Sequence, residues 1–270
     1  MTQDTHGLPA PYWQSRDGRI VLHLGDCREV MATLADKSID VVITDPPYSE
    51  HVHTKSKAGS GERSWQDKGA SVDPSRRRIA KDRDLGFASL TTDVMTACAD
   101  AFDRLSKRWV LVFSDVESTH LWRGELTASG LDYVRTGAWI KVGGSPQFTG
   151  DRPAVGFEAV TIAHPAGKKK WNGGGTHAVW SETIAHPSGA DERIHTTQKP
   201  VKLMRKLVAL FTDPDDLILD PFAGSGTTLV AAYEQGRRAI GCELDEKNAE
   251  AAAKRLENLT AQGALFGGAS

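Results

Sequence analysis

The chain has 270 residues, 39% of them hydrophobic and 25% charged, with a formal net charge of −2. That length and apolar share suffice for one substantial core with a small accessory lobe. No run of 18 apolar residues and no signal-peptide pattern is present, so a soluble, cytoplasmic protein without a membrane span is expected. A balance so close to neutral means that any nucleic-acid contact must come from local basic clusters. Cys27, Cys98 and Cys242 are scattered and form no C-x-x-C pair. His164, His177, His186 and His195 lack tight ligand spacing. Reduced thiols and no metal site are therefore expected.

Taken in chain order, the first strand-like run is residues 20–24, followed by Gly25-Asp26-Cys27 and a helix over 28–34. The next run, 39–44, is β-branched and enters Asp45-Pro46-Pro47-Tyr48. Two prolines stop the strand and leave a stiff backbone that carries carbonyls but no N–H donors. A carboxylate and a Pro carbonyl can accept hydrogen bonds from an exocyclic NH2, and a Tyr ring can stack on a flat base. Residues 50–84 are polar and without periodicity, longer than an ordinary connection, and hold nine cations against six acids. Among the cations are Lys55, Lys57, Arg76, Arg77 and Arg78. A mobile DNA clamp is expected there, with a solvated loop as the plainer alternative.

Helices are expected over 90–105 and 116–129, and strands over 109–113, 133–140 and 157–163. Residues 164–195 break the alternation with Lys168-Lys169-Lys170-Trp171-Asn172, a pattern suited to phosphate and base-edge contacts. Then comes Thr197-Gln198-Lys199-Pro200 before an apolar helix over 201–211; proline suits a first helical turn. A strand over 217–220 runs into Asp220-Pro221-Phe222-Ala223-Gly224-Ser225-Gly226-Thr227-Thr228, and a helix over 227–235 follows. Glycines there permit a tight turn and close backbone approach to a ligand. The turn lacks the Gly-Lys-Ser/Thr ending of a phosphate-binding loop, and Leu229 stands where a dinucleotide fingerprint has its third glycine. A strand over 238–242 ends at Glu243, about 20 residues past the glycines, where an acid commonly meets ribose hydroxyls. On these residues alone the turn indicates an adenosine-containing cofactor. A helix over 246–259 and a flexible tail, 260–270, close the chain.

Together these motifs resemble the amino-methylating DNA methyltransferases that use S-adenosylmethionine (SAM). Asp45 to Tyr48 match the family's catalytic loop, and Phe222, Gly224 and Gly226 match its F-x-G-x-G turn. Thr197 to Pro200 match the T-Q-K-P element of its β subclass, which also places the catalytic loop first. The resemblance implies one α/β domain of permuted motif order with a doubly wound, mostly parallel, seven-stranded Rossmann-like sheet and a small target-recognition region over 164–195. It implies that Asp45, Pro46, Pro47 and Tyr48 grip a flipped-out base in double-stranded DNA. Asp26, Cys27, Asp45, the 197–200 element, Asp220, residues 222–228 and Glu243 would line the SAM site. Asp in the first position associates with adenine N6 and Ser with cytosine N4, so adenine is favoured. A nicotinamide-dependent oxidoreductase would leave the D-P-P-Y and T-Q-K-P elements unexplained, and the intact Asp45 and glycines disfavour a non-catalytic DNA-binding regulator. The resemblance further implies a homodimer. Gln262 with Leu265-Phe266 is similar to Q-x-x-L-F peptides that dock on replication sliding clamps, although packing on the chain's own sheet is the stronger alternative.

Overall fold

The structure, a computed structural model, describes residues 10–47, 90–144, 151–184 and 198–266. Among the described residues, nine strands form one sheet: β1 (Trp13–Gln14), β2 (Ile20–Leu24), β3 (Val41–Thr44), β4 (Val110–Ser114), β5 (Asp132–Val142), β6 (Phe157–His164), β7 (Val179–Thr183), β8 (Leu217–Asp220) and β9 (Arg238–Glu243). Their order across the sheet is β1-β2-β9-β8-β3-β4-β6-β5-β7. Only β1 and β6 run against the rest. Helices α1 (Cys27–Thr33), α2 (Thr92–Leu105) and α3 (Thr119–Ala128) cover one face; α4 (Val201–Phe211), α5 (Thr227–Glu234) and α6 (Glu246–Phe266) cover the other.

Strand β3 is buried at all four positions, as a strand covered on both faces must be. Val41 and Ile43 enter the core under α4 to α6, and Val42 enters the core under α1 to α3. Helix α2 buries Met95, Cys98, Ala99, Phe102 and Leu105, the three-and-four spacing of an amphipathic helix. Thr91 caps it by accepting from the Val94 N–H, and Asp93 and Arg104 complement its dipole at the two ends. Helix α4 follows the same logic through Met204, Leu207, Val208 and Phe211, with Pro200 as its N-cap.

The chain leaves β3 toward β4 on one side and leaves β8 toward β9 on the other. Because β3 and β8 pair directly and in parallel, Val41 with Ile218 and Val42 with Leu219, the order of strand connection reverses between them. In open α/β sheets the crevice beyond the carboxyl ends of such strands is where ligands bind.

Three expectations change. Among the described residues the sheet has nine strands rather than seven, because the two-residue β1 and the alternating Val179–Thr183 carry too little apolar signal to be read as strands. Within 164–195, the described part does not stand apart as a lobe: β7 pairs with β5 and forms an edge of the main sheet. The last helix runs on to Phe266, where a flexible tail was expected from residue 260. The side chains of Gln262, Leu265 and Phe266 lie outside the described residues, as do Tyr48, residues 50–84, His186, His195 and Thr197. No helix among the described residues is long and apolar enough to cross a membrane.

Candidate active site

Asp45 lies immediately beyond Thr44 at the carboxyl end of β3, and Asp220 closes the adjacent β8. The Thr44 hydroxyl donates to Asp220 Oδ1 at 2.8 Å, joining the two strand ends. Asp220 also accepts from the Phe222 N–H at 3.2 Å and from the Thr228 hydroxyl. It is buried, and burial pushes its carboxyl up to about 6 in spite of those hydrogen bonds.

Lys199, one residue before the α4 cap, reaches into the same crevice. Its ammonium forms ion pairs with Asp45 and, at 3.1 Å, with Glu158 Oε2. Lys141 holds the other oxygen of Glu158 at 2.6 Å. Lys199 is only 5% exposed and Glu158 7%, so each charge depends on its neighbours in place of water. The Lys199 ammonium stands 5.4 Å from the centroid of the Phe113 ring, which walls the site with apolar surface. Asp45 keeps 26% of its side-chain surface open, yet the packed protein around the rest pushes its carboxyl above the ordinary range. The Lys199 charge opposes that rise and the Glu158 charge adds to it.

The glycine turn between β8 and α5 is held by its own backbone. The Ala223 N–H donates to the Cys242 carbonyl at 2.8 Å, and the Gly226 N–H to the Ala223 carbonyl at 2.8 Å. Gly224 sits at φ +52°, and a Cβ built there meets no atom within 4 Å. This is a left-handed position facing open space, where only glycine leaves room for a ligand against the backbone. Glu243 accepts from the Gly224 N–H at 2.8 Å and from the Asp245 N–H at 2.8 Å. Its own carbonyl accepts the Gly25 N–H at 2.9 Å, which brings the end of β2 alongside. Asp26 there caps α1, and the Arg28 guanidinium beside it holds its carboxyl below the usual range. Arg255 binds the turn from beneath, donating to the Ser225 carbonyl at 3.2 Å and to Thr227 Oγ1 at 3.1 Å.

Comparisons with known proteins follow the same lines. The N6/N4 methylase family model, described as DNA methylase, matches residues 158–254. YubD, a candidate methylase of Escherichia coli (strain K12), is 30% identical over 238 residues, covering 86% of this chain and 88% of its own. The chain belongs to the N6/N4 DNA methylase family. This methylase is also similar to the type II methyltransferase M2.MboI of Moraxella bovis, 26% identical over 265 residues and covering 93% and 92% of the two chains. Its fold matches the M1.HpyAVI–SAM complex with a TM-score of 0.63 at 22% identity, over 88% of this chain and 98% of that one. It also matches the PvuII cytosine-N4-specific DNA methyltransferase with a TM-score of 0.67 at 14% identity, over 95% of each chain. The protein is thus a SAM-dependent DNA methyltransferase, and the exposed cradle at Gly224, backed by the Glu243 carboxylate, fits that cofactor.

The methylase fold brings Asp45, Lys199, Asp220, Gly224, Glu243 and Asp26 to one edge of the sheet, the carboxyl ends of β2, β9, β8 and β3. Cys27 does not join them. It is buried with Cys98 and Cys242 in the core behind the sheet, so three cysteines distant in sequence share one cluster. A hydrogen bond with Cys27, together with burial, pushes the Cys98 thiol up, as burial does for Cys242; such thiols are inert.

The 168–172 segment lies at the opposite edge, near the amino ends of β4, β5 and β8. There Lys169 pairs with Asp132 at 2.9 Å, and Lys170 pairs with Asp213. Trp171 packs edge-on against Phe211 with centroids 4.8 Å apart, and the Asn172 amide donates to the Thr212 carbonyl at 2.9 Å. These side chains fasten a connection to α4 and are not gathered at the Asp45 crevice. Sequence reasoning passed over Glu158 and Lys141. The available signal was a glutamate inside the mostly apolar Phe157–His164, since buried glutamates are rare unless paired.

Proposed function

We propose that this methylase modifies the exocyclic N6 of adenine in duplex DNA, on a base flipped into the crevice, with Asp45 holding the amine. The observation that carries the reading is a carboxylate at the end of β3, fixed by Lys199 and followed by two prolines, one strand away from the open Gly224 turn. SAM, when bound, supplies an electrophilic methyl group on a sulfonium. Gly224, Glu243, Asp26 and the residues around Lys199 would hold it. The chain's own part is to orient the amine: Asp45 accepts one of its N–H bonds, and the Pro46 or Pro47 carbonyl accepts the other. This localises a nitrogen lone pair otherwise spread into the ring and makes the transfer effectively unimolecular. As the new N–C bond forms, the amine gives up one proton, and the raised basicity of Asp45 suits it as the first acceptor. A duplex hides the amine inside the base stack, which is why flipping belongs to the proposal.

The adenine assignment rests on Asp at the first position of the loop, the residue that the family resemblance associates with N6. Cytosine N4 is the second reading, because the PvuII enzyme named for it has the same fold. Methylating duplex DNA with labelled SAM, digesting it and separating the nucleosides by mass spectrometry decides between them. N6-methyladenine is the expected product. N4-methylcytosine would reverse the assignment, and no labelled base at all would favour a non-catalytic DNA-binding protein.

A further inference from the structure

Asp45 does not face Lys199 alone. Among the described residues, the charged groups around it come from four neighbouring segments: Lys199 ahead of α4, Glu158 on β6, Lys141 on β5 and Asp220 on β8. Glu158 stands opposite Trp139 in the β5–β6 register, which fixes its carboxylate between the two lysines. Two carboxylates and two ammonium groups thus alternate in a row, Asp45–Lys199–Glu158–Lys141, with its inner two members almost fully buried.

An ammonium devoted wholly to Asp45 would hold that carboxylate tightly and make it a poor acceptor for the amine. Sharing the ammonium between two carboxylates weakens its hold on each. Lys141 in turn keeps Glu158 from drawing Lys199 away altogether. In such dry surroundings, charges at these separations act far more strongly than they would in water.

We propose that Glu158 is a positioning residue for methyl transfer: by taking a share of the Lys199 ammonium, it sets how strongly Asp45 accepts the hydrogen bond and proton of the target amine. Lys141 sets the size of that share. This rests on the assignment of Asp45 as the group that holds the amine.

The test is the pH dependence of single-turnover methylation of duplex DNA by the full chain. Asp45 must be ionised to accept, so the rate falls on the acid side as it takes up a proton. Glu158→Gln keeps the shape of the side chain and an oxygen for Lys199 but removes the charge. The acid limb should move to lower pH by about one unit and the plateau rate should fall about tenfold, as a less basic acceptor dictates. SAM affinity, measured by calorimetry, should stay within about threefold. Lys141→Met should move the limb the opposite way, toward higher pH. A rate loss in Glu158→Gln with the limb unmoved would reduce Glu158 to a packing role and overturn the inference, as would a wild-type profile. Should Glu158→Gln fail to fold, an unmoved limb in Lys141→Met overturns it equally. Asp45→Asn separates the two ideas: turnover there removes the Asp45 assignment itself, whereas an inactive Asp45→Asn with unmoved limbs removes only the role of Glu158.

Discussion

Truncating Asp45 to Ala removes the acceptor for the amine yet leaves Lys199 paired with Glu158, so the buried ammonium keeps a partner. Methyl transfer should be lost while SAM affinity stays within about threefold, since the glycine turn is untouched; retained turnover would end the proposed role. Gly224→Val should do the reverse. A branched side chain at φ +52° is strained and fills the open cradle, so calorimetry should show SAM binding reduced at least about tenfold. Asp220 makes a different kind of statement. Its carboxyl stands at about 6 in the folded chain against an ordinary 3.8. Between those values the folded chain keeps a proton that the unfolded chain has released. Stability therefore falls as pH rises through that window, by about 3 kcal/mol in all. Asp220→Asn cannot titrate, so denaturation of wild type and variant across pH 3 to 7 should diverge by about that amount. Parallel curves would mean that burial does not raise the Asp220 carboxyl.

Helix α5 and strand β9 meet closely. A Cβ added at Gly241 would fall 2.7 Å from Leu229 Cδ1 and 3.1 Å from Ala223 Cβ, so this glycine sets the distance of the helix and the glycine turn from the sheet. Gly241→Val should destabilise by about 1–3 kcal/mol through overpacking, read as a lower denaturation midpoint. It should weaken SAM binding as well, because the turn shifts with the helix. An unchanged midpoint would show that α5 can move aside freely. The same kind of packing explains what was legible in the sequence. Strands such as β3, β8 and β9 are covered on both faces and read as continuous apolar runs, and the D-P-P-Y loop and glycine turn stand out because prolines and glycines punctuate them. β7 borders the sheet and buries only part of its length, so it gives no such run. The Glu158–Lys141 pair was hidden for another reason. It depends on the antiparallel register of β5 and β6, a long-range fact that no local pattern records.

For the whole molecule, a homodimer is the expected state. Ile140, Val142, Val155, Phe157 and Val179 are exposed apolar residues on or beside β5, β6 and β7, the kind of patch that marks an association surface. Sedimentation at micromolar concentration should show the dimer, and Val142→Lys with Phe157→Lys should return it to monomer; a wild-type monomer would count against the state. The sheet order carries one more consequence, and it concerns time. β2 and β3 are both made early, yet they are not neighbours: β9 and β8 fill the space between them. While the chain is still on the ribosome, these two strands wait with bare facing edges until residues 217–243 emerge. Parallel pairings over such separations form slowly and leave apolar surface open to other chains meanwhile. The crevice is assembled by the strands that arrive last, so a nascent or prematurely ended polypeptide carries the D-P-P-Y loop without the rest of the crevice.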